Sequence, residues 1–126
     1  MRKEGNRPQR VAELIKRELA TLIPRELDDK RTHLATLTHV DLSPDLKNAR
    51  VYFTLLAGSA GAEPVTTALN RAAGHLRKIL AAQIQQRVVP NLRFYFDESI
   101  ERGDRLTRLI NRAMEQDKGG NRGDDE

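Results

Sequence analysis

Arg71, Gly74, His75 and Lys78 fall on one side of a helical projection, opposite Leu69, Leu76 and Leu80, with Arg77 at the flank. A glycine bracketed by cations lets a phosphate approach the backbone closely and supplies the charge to hold it. A helix that kinks at Gly74 and restarts would add unpaired N–H groups and the positive end of its dipole. The plainer reading is a surface glycine in a charged helix, where it costs about 1 kcal/mol relative to alanine. Residues 64–96 decide between them, because they carry five Lys/Arg and no acid. The phosphate reading is preferred.

A second basic set, Arg7, Arg10, Lys16 and Arg17, lies off the apolar stripe of the first predicted helix. The rest of the chemistry is thinner. Walker-type, Rossmann, nucleophile-elbow and zincin motifs are all missing, so no catalytic set stands out. The three histidines, His33, His39 and His75, do not have convincing metal-ligand spacing, and no metal or cofactor is expected. Asp28-Asp29 reads as a solvated loop pair rather than an acid/base dyad. Gly58-Ser59-Ala60-Gly61 has GXXG spacing but follows a strand and carries no cation, so it reads as a flexible loop. Tyr52 and Tyr95 share a strand face with Arg50 and Arg93. Ordinary strand surface is preferred there over a base-stacking platform.

Composition sets the outer limits. The chain has 126 residues, one small domain's worth, with a net charge of +4, 32% charged residues and no cysteine. Its pI is about 9.8 and its mean hydropathy −0.63. No apolar run approaches the ~20 residues of a spanning helix. Without cysteine there is no disulfide framework, thiolate metal site or cysteine nucleophile. The charged start Met1-Arg2-Lys3-Glu4-Gly5 has no apolar h-region, and a cytoplasmic location is expected. Basic segments draw polyanions, nucleic acid first.

These side chains must be positioned by a small set of elements. A first helix is expected from Arg7 or Pro8 to Leu22, capped by Asn6 and stopped before Pro24. Leu34–Leu42 reads as a strand with a bulge near Thr38-His39, which would put Leu37, Val40 and Leu42 on one face. Ser43-Pro44-Asp45 is turn chemistry. The next strand, Asn48–Leu56, points Ala49, Val51, Phe53 and Leu55 one way and Arg50, Tyr52 and Thr54 the other. A helical pattern runs from Glu63-Pro64 through Gly74 and fades at Arg87-Val88. Leu92–Asp97 is a third strand. A last helix to Met114 shows an apolar stripe of Ile100, Leu106, Leu109, Ile110 and Ala113. The tail 115–126 has no apolar residue and is expected to be disordered. The fold class is therefore α+β, with a three-stranded sheet and helices packed on one face.

Several stretches, in order, resemble one family. Thr38-His39-Val40-Asp41-Leu42-Ser43-Pro44-Asp45-Leu46 and Asn48-Ala49-Arg50-Val51-Tyr52-Phe53 are similar to the V-x-V-S-x-D-L-x-x-A-x-V-Y run of bacterial ribosome-binding factor A. Arg7 to Glu18 resembles the family's opening helix. Val89-Pro90-Asn91-Leu92-Arg93-Phe94, with Asp97 and Ser99, resembles its V-P-x-L-x-F-x-x-D-x-S run. Ala72-Ala73-Gly74 matches the A-x-G kink that stands in for GXXG, which adds Ala72 to the candidate set. The resemblance covers about residues 5 to 112.

It implies a type II KH-like domain over residues 1–114 and no enzymatic activity. It also implies binding to the free small (30S) ribosomal subunit and its rRNA. Late maturation of 16S rRNA, including 5′-end processing, would follow, with cooperation with assembly GTPases and a role in growth in the cold. A monomer without membrane association is expected. Two rivals follow from the residues alone: a KH-type binder of single-stranded RNA, and an adaptor whose basic face meets an acidic protein. A small hydrolase is a distant third.

Overall fold

The strand Asn48–Thr54 (β2) alternates cleanly, and the alternation is what organises the sheet. Ala49, Val51 and Phe53 are 2%, 0% and 0% exposed, whereas Arg50 is exposed and Tyr52 and Thr54 half-buried. The computed structural model describes residues 3–84 and 89–123. Around β2 it places α1 (Lys3–Glu26), β1 (Thr36–Leu42), α2 (Ala62–Arg71), α3 (Ala73–Gln83), β3 (Asn91–Phe96) and α4 (Ser99–Gly123). Single 3-10 turns occupy Lys30–Leu34 and Gly58–Gly61.

The sheet order is β1-β2-β3, with β1 antiparallel and β3 parallel to β2. A parallel neighbour needs a crossover, and α2 with α3 supplies it. One apolar cluster joins Ile15, Leu19 and Leu22 of α1, Val65 and Leu69 of α2, and Leu76 and Leu80 of α3 to Val40, Val51, Phe53 and Phe94 of the sheet. The three helices therefore cover one sheet face, as expected.

The bulge falls where the broken alternation puts it. Leu37 pairs with Phe53 and His39 with Tyr52, so Thr38 is the extra residue. Leu37, Val40 and Leu42 all reach the core. The Thr38 hydroxyl donates to Asp97 Oδ2 at 2.6 Å, which ties the bulge to the end of β3. In the hairpin turn Asp45 Oδ1 accepts from the Ser43 hydroxyl at 2.6 Å and the Lys47 N–H at 3.0 Å.

Four boundaries differ from expectation. First, α1 begins at Lys3, so Asn6 lies inside it rather than at its cap, and it runs through Pro24 to Glu26. The helix survives Pro24 because Leu22 and Ile23 are buried (0% and 3% exposed) and Leu27, whose N–H donates to the Ile23 carbonyl at 3.1 Å, packs on the core. Tertiary burial outweighs the local steric preference at Ile23.

Second, the helical break falls at Ala72 (φ −88°, ψ −1°), and Gly74 lies in the first turn of α3. Asn70 explains the position. Its side-chain Nδ2 donates to the Phe94 carbonyl at 3.0 Å and its Oδ1 accepts the Phe94 N–H at 2.8 Å. The amide thus pairs with the free edge of β3 as a further strand would, and it fixes where α2 ends. Third, the Gly58–Gly61 segment is a 3-10 turn rather than an open loop. α3 ends at Gln83, where Ile84 turns extended (φ −102°, ψ 140°), short of the expected fading at Arg87-Val88, which lies outside the described residues.

Fourth, α4 continues to Gly123, past Met114, and its apolar stripe does not pack. Ile100, Leu106, Leu109 and Ile110 are 57%, 58%, 52% and 50% exposed. By the time the chain reaches Ser99 the core face of the sheet is already covered by α1–α3, so α4 has no part of that face left to pack on.

Asn70→Ala removes two part-buried hydrogen bonds and leaves both polar groups of Phe94 without that partner. It should lower unfolding stability by about 2 kcal/mol, measured by urea denaturation.

Candidate nucleic-acid interface

At the break, α2 delivers Arg71 and α3 begins with Ala73, Gly74 and His75. The Ala72 N–H is satisfied by Ala68 and Leu69 carbonyls (3.2 and 3.1 Å), and its carbonyl accepts from Leu76 at 2.9 Å. α3 follows α2 with only Ala72 between them, so the last carbonyls of α2 lie one turn before the first N–H groups of α3. Gly74 is exposed, and a Cβ placed on it would meet nothing within 4 Å. Arg71, His75 and Lys78 are exposed around it, while Leu76 and Leu80 point into the core. An exposed glycine with no blocking side chain and cations around it lets a phosphate approach closely.

The structure brings Arg71, Ala72, Gly74, His75 and Lys78 together, but their surroundings are not uniform. Arg71 also lines a cleft of about 530 Å³ with Asp28, Asp29, Arg31 and Glu63, so acids face it from one side. Asp29 caps the 3-10 turn by accepting the Arg31 N–H at 3.0 Å and holds the Arg31 guanidinium at 2.8 Å. Those hydrogen bonds lower its carboxyl pKa to about 2, which makes it a structural cap rather than an acid/base group. His75 Nε2 lies 3.8 Å from Glu26 Oε1.

Arg77 is diverted. Its Nε donates to the Val89 carbonyl at 3.1 Å, pinning α3 to the segment that leads into β3. Sequence placed it at the flank of the cation face, and the structure gives it a tether there.

The second basic set is separate. His75 beside Glu26, and the Gln83 amide set between Glu18 and Arg25 in the orientation that satisfies both, run α3 antiparallel to the C-terminal half of α1. At ~1.5 Å per residue, Arg7 lies about 29 Å along α1 from Glu26, and Arg10 about 24 Å. Arg7, Arg10 and Arg17 are exposed and Lys16 is half-buried. The two sets are thus two patches on one molecule. Arg25, exposed on the last turn of α1 and 3.1 Å from Glu26, stands beside the first patch. Sequence reading put it in a loop, because Pro24 was expected to end the helix.

The remaining candidates take structural roles. Ser59 N–H donates to Glu101 Oε2 at 3.0 Å, so a carboxylate occupies the Gly58–Gly61 turn where a phosphate would have to sit. His33 Nε2 is 2.8 Å from the Leu27 carbonyl. No group of three or more metal-binding side chains occurs among the described residues. No helix among them is long and apolar enough to cross a membrane.

A three-stranded mixed sheet with helices on one face and a basic helix–break–helix corner define a KH-like fold. The family model described as ribosome-binding factor A matches residues 7–110. Ribosome-binding factor A of Aromatoleum aromaticum is 41% identical over 126 residues, covering 100% of this chain and 99% of that one. The Coxiella burnetii protein is 48% identical over 113 residues, with 90% and 94% covered. The crystal structure of ribosome-binding factor A from Thermus thermophilus is similar with a TM-score of 0.65 at 30% identity, covering 73% of this chain and 97% of that one. A homology model of the Thermus thermophilus factor, fitted into the cryo-EM map of its complex with 30S, is similar with a TM-score of 0.57 at 33% identity, covering 69% and 91%. The chain belongs to the ribosome-binding factor A family.

Gly74 has no positive φ and open space at its Cβ, so nothing in the fold requires glycine there. Gly74→Ala should raise stability by about 0.5–1 kcal/mol and increase helicity, seen by urea titration and circular dichroism.

Proposed function

We propose that this protein is a cytoplasmic, monomeric assembly factor that binds the free small ribosomal subunit through its rRNA. It assists late maturation of 16S rRNA, including 5′-end processing, alongside assembly GTPases and with most effect in the cold. It does no covalent chemistry. The observation that carries the reading is the start of α3: Arg71, Gly74, His75 and Lys78 are exposed together, in a chain alike over its full length to ribosome-binding factor A. Arg7, Arg10 and Arg17, with Lys16 beside them, form the second contact. Binding is steric and electrostatic: the cations hold phosphates, the shape of the fold selects an rRNA junction, and one conformer of that junction is favoured.

The binding domain spans residues 1–114, and 115–126 is an accessory tail. Truncation after Met114 should leave the melting temperature unchanged, because the tail has no apolar residue to bury. A clear fall in the scanning-calorimetry midpoint would show that the tail packs.

Arg71→Glu with Lys78→Glu should abolish co-sedimentation with purified 30S while the far-ultraviolet circular dichroism is kept. Arg77 is left out of this test because its bond to the Val89 carbonyl would confound stability with binding. The wild type should lose affinity steeply with salt, by orders of magnitude if several cations each neutralise a phosphate. Tight binding to short single-stranded RNAs but not to subunits would favour a generic KH-type binder. A flat salt response would favour an adaptor for a protein partner.

A further inference from the structure

The helices cover one face of the sheet and leave the other open. On that open face stand His39, Tyr52 and Tyr95, one from each strand and in register: His39 pairs with Tyr52, and Tyr52 with Tyr95. The His39 and Tyr52 ring centroids are 6.1 Å apart and those of Tyr52 and Tyr95 5.6 Å, each pair tilted by 30°. Three near-parallel rings thus cross the whole sheet in one row. The row depends on the bulge. With Thr38 as the extra residue, Leu37 faces the core and His39, two residues on, faces out.

One rung away, Arg50 and Arg93 are direct cross-strand partners, with Asp41 opposite Arg50 on the other side. Like charges placed opposite one another destabilise a sheet. Two arginines against one aspartate leave a surplus of positive charge on this rung that an anion would relieve, while Asp97, held by the Thr38 hydroxyl, stands at the other side of the ring row. Both arginines are exposed. A row of π-faces edged by a surplus of guanidinium groups fits a ligand that alternates flat rings with negative charge.

We propose that the open sheet face is a second RNA-binding site, in which His39, Tyr52 and Tyr95 stack unpaired bases while Arg50 and Arg93 hold the adjoining phosphates. This rests on the rRNA-binding reading and adds to it a contact that recognises unpaired nucleotides rather than phosphate alone. The α3 patch and this face lie on opposite sides of the sheet, so one bound RNA element need not serve both.

The chain carries its own reporter. It has no tryptophan and two tyrosines, Tyr52 and Tyr95, so all its tyrosine emission comes from this row. Titrating the full-length protein with ten-nucleotide oligouridylate and oligoadenylate should quench tyrosine emission saturably, after inner-filter correction. Inorganic polyphosphate should bind without quenching. Tyr52→Leu and Tyr95→Leu should each weaken binding of a labelled oligoadenylate about tenfold by fluorescence anisotropy, with the salt slope unchanged. Tyr52→Phe should retain binding. If Tyr52→Leu unfolds, the more exposed Tyr95→Leu and the Tyr52→Phe control still decide.

Unquenched emission on oligonucleotide binding, or leucine variants that bind as tightly as wild type, would overturn the stacking site. If wild-type protein still sediments with 30S in that case, the assembly-factor reading stands. If wild-type protein binds neither oligonucleotides nor 30S, both fall together.

Discussion

The central strand β2 is hydrogen-bonded along both edges, and its pleat admits only one assignment of faces. A slip of one residue would bring Arg50 and Tyr52 into the space now filled by Val51 and Phe53, both fully buried. Burying two such side chains is worth roughly 3–6 kcal/mol, a large part of the net stability of a small domain. Everything else follows from that choice. α1, α2 and α3 gather on the Val51–Phe53 side. The polar and aromatic side is left to solvent. The parallel crossover that this side requires brings the α2–α3 break to the edge of β3, where Asn70 holds it.

Much of this was legible in the residues. The period-two pattern of Asn48–Thr54, the slipped alternation at Thr38-His39 and the element order all reappear in the structure. They were legible because each is a local consequence of which side chains must share a face. What could not be read depended on partners distant in the chain. The run through Pro24 needs Leu22, Ile23 and Leu27 to be buried by other elements. The position of the break needs Asn70 to meet Phe94, 24 residues on. Arg77 looked like one more cation because nothing in its own helix announces the Val89 carbonyl. The stripe on α4 shows the converse error. Periodicity says that a face is apolar, not that this chain covers it.

The candidate site divides along the same line. Cation clustering without acids was visible in residues 64–96, but the fold sets Asp28, Asp29 and Glu63 in one cleft with Arg71 and Glu26 beside His75. The reason given for Gly74 needs revision, however. The glycine does not make the kink, since Ala72 adopts the non-helical turn without it. Its contribution is an exposed stretch of backbone with no side chain over it. Backbone accessibility can favour glycine at a position where backbone conformation does not.

The spacing of the surfaces bears on what kind of RNA the molecule suits. Phosphate contacts position a protein but carry little sequence information. A rigid domain with one such patch would hold any polyanion. This one has a basic patch at the start of α3 and another spread from about 14 to 29 Å away along α1, fixed relative to each other by a single core. A flexible single strand that bridged them would lose conformational freedom at every intervening nucleotide. A folded junction whose phosphates already lie at that separation loses far less, because its shape is set before binding. Discrimination between the two is then a matter of preorganisation in the RNA rather than of base readout by the protein. That is the physical sense in which a small basic domain can prefer a structured subunit over loose RNA of the same charge.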